Sequence, residues 1–121
     1  MYPIATPEEQ VSFFRELSPV IRHIEENYAE TISMKHMAEL AGLSATQFNV
    51  RFQSVLRMSP TDYVLSLRIQ DAQKKLTETS EPIAEIAINV GFVDQSHFTK
   101  RFRKITGMTP LAYRKRFRQI I

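Results

Sequence analysis

This chain repeats itself at a spacing of fifty residues. Phe48, Arg51, Phe52, Met58, Pro60 and Tyr63 recur as Phe98, Arg101, Phe102, Met108, Pro110 and Tyr113. Upstream the spacing becomes forty-nine: Met37, Ala38, Ala41 and Gly42 answer to Ile86, Ala87, Val90 and Gly91, so the second copy has one extra residue in its turn. Two copies are too few to stack into a solenoid. With 121 residues there is room for one domain, or for two small subdomains, so a tandem pair of small helical units is expected.

Each copy reads as helix, tight turn, helix. In the first, Ser33 is an N-cap candidate, and Met34, Met37, Leu40 and Ala41 form an apolar stripe at helical spacing. Gly42 ends that helix, because a glycine enters the left-handed conformation without a Cβ penalty. Ser44 opens the next helix, with Gln47 completing a capping-box pattern and Phe48, Phe52 and Val55 as the buried face. The second copy has Pro82 in the first turn, Ile83, Ile86, Ala87 and Val90 inward, Gly91 at the stop and Asp94 as N-cap. Phe98, Phe102 and Ile105 then form its stripe, and Gly107 ends it. Ala38 and Ala87 each precede the turn glycine by four residues, where two helices crossing steeply leave room for a methyl group. That is the packing requirement of a helix-turn-helix.

Between the copies, Ser59-Pro60 opens a long helix running to about Thr77. Leu65, Ile69, Ala72 and Leu76 mark one apolar face, and Tyr63, Val64 and Leu67 a neighbouring one, so it can bury itself against both units. The same start at Ser18-Pro19 and Thr109-Pro110 predicts helices from Ser18 to about Asn27 and from Pro110 to about Phe117. The predicted fold is all-α: two helix-turn-helix subdomains joined by a linker helix, about seven helices, with or without an extra one at the N-terminus. The expected divisions are 1–17 (N-terminal linker or extra helix), 18–57 (first unit), 58–79 (linker helix) and 80–121 (second unit and closing helix).

Charge sharpens the functional reading. Residues 1–57 hold five Lys/Arg against seven Asp/Glu, whereas residues 58–121 hold eleven against six. Beyond Asp94 no acidic residue occurs, while Lys100, Arg101, Arg103, Lys104, Arg114, Lys115, Arg116 and Arg118 do, which suits an anionic polymer. A helix entering the DNA major groove shows polar or small side chains opposite its buried stripe, since base edges offer donors, acceptors and the thymine methyl. In the first unit Thr46, Asn49, Val50 and Gln53 occupy that face, and in the second Gln95 or Ser96, then Thr99, Lys100 and Arg103. Ser44, Arg51, Arg57, Arg101 and Lys104 are candidates for phosphate. The greater charge of the second helix predicts that it supplies more of the salt-sensitive anchoring. Pro60 to Thr77 spans about 27 Å at the helical rise. Adjacent major grooves lie roughly 34 Å apart, so engaging both predicts a bent duplex.

Catalysis is not expected. The chain has no cysteine, which excludes disulfides, thiolate catalysis and thiolate zinc sites. His23, His36 and His97 do not fall at metal-ligand spacings, and no phosphate-binding glycine loop is present. No cofactor and no metal are expected. The N-terminus lacks a secretion signal and no apolar run reaches bilayer length, so the expected location is the cytoplasm. The alternative to DNA binding is a helical protein-interaction module whose basic face docks on an acidic partner.

The turn AGLSATQFNVRF, the linker SPTDYVLSLRIQDAQKKL and the second copy GFVDQSHFTKRFRKITGMTPLAYRKRF strongly resemble the AraC/XylS family of bacterial transcription regulators, over about residues 18–117. The resemblance implies seven helices in two helix-turn-helix units, with two recognition helices in adjacent major grooves of promoter or operator DNA. It implies base reading at Thr46, Asn49 and Val50, and at Gln95, Ser96 and Lys100. Val50 departs from the pattern, which usually has Arg or Lys there; a valine reaches neither phosphate nor guanine. Arg68 matches a commonly basic position that looks structural, with a carboxylate as its expected partner. Most relatives are the C-terminal part of a longer protein. The resemblance therefore implies RNA polymerase as a further partner and an effector or dimerisation domain missing from this chain, residues 1–17 being an interdomain linker helix or a helix packed on its own domain.

Overall fold

Local capping chemistry sets where the helices begin. In the computed structural model, which describes residues 5–118, seven helices and no strand are found among the described residues. They are α1 (Pro7–Asn27), α2 (Met34–Leu40), α3 (Ala45–Leu56), α4 (Pro60–Glu78), α5 (Ile83–Asn89), α6 (Gln95–Thr106) and α7 (Pro110–Phe117). The outer ends of the expected divisions, residues 1–4 and 119–121, lie outside the described residues. Hydroxyls of Ser33, Ser44 and Thr109 accept from His36 N, Gln47 N and Ala112 N, and the Asp94 carboxylate accepts from His97 N. Each satisfies an N-terminal donor that the helix cannot pair internally. The Ser44–Gln47 capping box is complete on both sides.

The first unit comprises the described residues up to Asn27 together with Thr31–Val64. Leu17, Val20, Ile24, Met37, Ala38, Phe48, Phe52 and Val64 are its buried apolar side chains. The second comprises Tyr28–Glu30 and the residues from Leu65 on. Its core is Leu65, Ile69, Ala72, Leu76, Ile86, Ala87, Val90, Phe92, Phe98 and Phe102, with Ile83 and Tyr113 packed against it. Helix α4 thus contributes to one core up to Val64 and to the other from Leu65. The sequence repeat is also a repeat of ring contacts. Phe48–Phe52 and Phe52–Tyr63 centroids lie 5.7 and 5.8 Å apart, and Phe98–Phe102 and Phe102–Tyr113 lie 5.5 and 5.3 Å apart.

Some expectations are corrected. Ser18-Pro19 does not start a helix: α1 runs through Pro19 as one 21-residue helix, starting after Thr6, whose hydroxyl accepts from Glu9 N. A proline inside a helix costs about 3 kcal/mol. Complete burial of Leu17, Val20 and Ile24, each worth about 1.5–3 kcal/mol, outweighs it. Met34, Leu40 and Ile105, expected in apolar stripes, are exposed, and Val55 is half-buried. The turns behave as expected: Gly42, Gly91 and Gly107 all have positive φ, and Ala38 and Ala87 are buried.

Candidate nucleic-acid interface

Helix α6 is held by its apolar side and offers the other. Phe98 and Phe102 are fully buried, while Gln95, Ser96, Lys100, Arg103 and Lys104 are exposed and Thr99 and Arg101 half-buried. The His97 ring stacks edge-on against Phe92 at 5.4 Å, which turns it towards the helix's own turn. Arg103 and Lys104 sit in the last turn, where positive charge also favours the negative end of the helix dipole.

In α3 the same construction holds, with a difference on one flank. Thr46 and Asn49 are exposed and Gln53 is half-buried. Val50 is half-buried and lines a cleft of about 270 Å³ with Ala5, Glu9, Phe13, Thr46, Gln47, Arg51 and Ser54. Arg51, expected at phosphate, donates from Nη1 to the Glu16 carboxylate at 2.6 Å, with its guanidinium 4.9 Å from the Phe13 ring centre. The valine in place of a basic residue therefore suits a flank of α3 that leans on α1. The Ser44 hydroxyl oxygen accepts from Gln47 N in the capping box, which leaves its own proton to donate. Arg57 is exposed and caps α3 at φ 62, a left-handed conformation rare for a residue with a Cβ.

Two other arginines support helix ends. Arg68 does not meet a carboxylate: Nε donates to Tyr28 O at 2.6 Å and Nη2 to Glu30 O at 2.9 Å, just past the end of α1. Burial lowers its pKa from the usual arginine value. Arg114 repeats the arrangement at the end of α4, with Nε donating to Leu76 O and Nη2 to Thr79 O at 3.0 and 3.3 Å. Its pKa is also lowered, first by burial and then by Arg118, against the opposing pull of Glu81. Both forks satisfy carbonyls that have no helical donor. Arg118 donates to the Ser80 hydroxyl at 2.6 Å. Part of the basic stretch beyond Asp94 is thus engaged in structure, which its charge count does not reveal.

No group of three or more His, Cys, Asp or Glu able to hold a metal ion occurs among the described residues, and no described helix is long and apolar enough to cross a membrane. The His23 and His36 rings touch edge-on at 5.2 Å.

A family model described as a helix-turn-helix domain matches residues 37–116. The melibiose operon regulatory protein of Escherichia coli K12 is 32% identical over 99 residues, covering 82% of this chain and 33% of that protein. The chain spans about a third of the length of the curated relatives it matches. An AraC-type regulator from Chromobacterium violaceum has a crystal structure that matches with a TM-score of 0.80 and 28% identity, over 90% of this chain and 97% of that one. The DNA-binding domain of AdpA, a global transcriptional factor crystallised with a target DNA, matches with a TM-score of 0.79 and 26% identity, over 84% and 92%. Two capped turns, two exposed polar helix faces and a match that runs through both copies have one explanation: the chain belongs to the AraC/XylS family of helix-turn-helix transcription regulators.

Proposed function

We propose that this chain binds double-stranded DNA sequence-specifically, with α3 and α6 as recognition helices entering adjacent major grooves, as the DNA-binding part of a bacterial transcription regulator. The observation that carries this is the exposed first half of α6, where Ser96 and Lys100 stand opposite the buried Phe98 and Phe102 and Gln95 is exposed at the helix start. The likeness to the AdpA domain, crystallised on a target DNA, supports it.

Thr46, Asn49, Gln53, Gln95, Ser96, Thr99, Lys100 and Arg103 read base edges on this account. Asn and Gln pair with adenine, Lys and Arg with guanine, and Thr touches a thymine methyl. Arg57, Arg101 and Lys104 hold phosphate. Arg51 serves instead to seat α3 against α1, because its side chain is taken up by Phe13 and Glu16, and Val50 lines the cleft beside them. The domain works by binding, without a cofactor or catalysis, in the cytoplasm. Its wider partners are promoter or operator DNA and RNA polymerase, with an effector or dimerisation domain in the remainder of a regulator as long as the relatives.

Selection of bound duplexes from a random pool tests this. Two informative patches about one helical turn apart are expected, with binding that weakens steeply as salt rises. Absence of enrichment and of binding at low salt would refute the proposal.

A further inference from the structure

The second unit's extra residue is Val93, and its placement suggests a task. Both turns close identically: Leu43 N donates to Ala38 O at 3.0 Å and Phe92 N to Ala87 O at 2.9 Å, while Gly42 N and Gly91 N both reach the carbonyl three residues back at 3.0 Å. After that closure the first copy passes straight to its N-cap, Ser44, whereas the second inserts Val93 before Asp94. Packing does not require the insertion, for Val93 is 84% exposed. It leaves a branched apolar side chain in solvent at the entrance to α6, beside the exposed Gln95 and Ser96.

We propose that Val93 reads a thymine methyl group in the major groove. This rests on the DNA-binding reading above. The N-terminal residues of a recognition helix approach base edges, so the residue just ahead of the N-cap lies at the same mouth. Of the groups a groove edge displays, the thymine C5-methyl is the one an isopropyl side chain complements; phosphate and base donors or acceptors gain nothing from it. Charge argues the same way. The neighbouring Asp94 is acidic, and its carboxylate is committed to His97 N at 2.8 Å, so this corner is unsuited to a phosphate and better suited to the base edges.

The test compares wild type with Val93→Ser and Val93→Ile in selection from a random duplex pool. Each thymidine of the selected site is then replaced in turn by deoxyuridine, which removes only the methyl. Burying one methylene-sized group is worth about 0.8 kcal/mol, or about fourfold in affinity. Wild type and Val93→Ile should lose about fourfold at one thymine next to the bases assigned to Gln95 and Ser96, and Val93→Ser less than twofold there. Circular dichroism confirms that the variants are folded, as expected for so exposed a position. A deoxyuridine profile that is the same for wild type and Val93→Ser overturns the inference, as does uniform weakening by Val93→Ser with no change at any thymine. If wild type selects no sequence at all, the DNA-binding reading itself fails, which is a separate outcome.

Discussion

Gly42 and Gly91 occupy equivalent turns, yet replacing each with alanine should cost very different amounts. Gly42 has φ +69 and an added Cβ would meet nothing within 4 Å; Gly91 has φ +110, and its Cβ would lie 2.8 Å from Arg68 Nε and 2.9 Å from Ala29 O. Left-handed strain alone costs an alanine about 1–2 kcal/mol. At Gly91 both neighbours must give: Arg68 is anchored by its hydrogen bonds to Tyr28 O and Glu30 O, and those same bonds hold the segment that carries the Ala29 carbonyl. Losing one such charge-assisted bond adds about 1.5–3 kcal/mol. Gly42→Ala should therefore destabilise by about 1–2 kcal/mol and Gly91→Ala by about 2.5–5 kcal/mol. At about 4 °C per kcal/mol for a domain of this size, the Tm values should fall by about 4–8 and 10–20 °C respectively. Thermal melts followed by far-UV circular dichroism are suitable, since the chain has no tryptophan to report by fluorescence. In an Arg68→Ala background the extra cost at Gly91 should shrink towards that at Gly42, which isolates the coupling. Equal losses at the two glycines, or an unchanged Gly91→Ala cost without Arg68, would refute the role given to this contact.

Further outcomes follow from other side chains. Arg101→Glu with Lys104→Glu should lower the salt slope of DNA binding by about 2, at about 0.9 for each phosphate no longer neutralised, and should weaken binding more than Arg57→Glu; filter binding across a salt series measures both. The Tyr28 hydroxyl donates to Asp71 at 2.8 Å, and burial, then that bond and the Asp71 charge, raise its pKa above 10.0. A raised folded-state value means its contribution is complete below pH 10 and is lost as pH rises through the folded pKa, so Tyr28→Phe should flatten part of the alkaline decline in urea stability. Ser54 is buried with no hydrogen-bond partner for its hydroxyl, so Ser54→Ala should leave stability unchanged or raise it by up to about 1 kcal/mol in urea unfolding.

Much of this architecture could be read locally. Caps, turn glycines and the buried alanines depend on neighbours within four or five residues, and Ser44, Asp94, Gly42 and Ala87 behave as their types dictate. What escaped prediction depends on distant partners. Arg51 meets Glu16, 35 residues away, and Arg68 meets carbonyls about forty residues away, and no spacing rule links them. Continuity of α1 through Pro19 was hidden because the proline signal is local whereas the burial of Leu17, Val20 and Ile24 that overrides it is tertiary. On the candidate interface, periodicity found the exposed faces but could not separate Asn49, which is exposed, from Val50, which is half-buried and lines a cleft beside α1. Val93 was visible as the one-residue mismatch between the copies; its exposure was not.

The forks of Arg68 and Arg114 end on neutral backbone carbonyls and not on carboxylates. Counterions screen attraction between full charges far more than a short, half-buried hydrogen bond to a dipole. Brine concentrated enough to strip such a domain from a nucleic-acid column should therefore leave these ties closed, so that the eluted protein comes off native and ready to rebind on dilution.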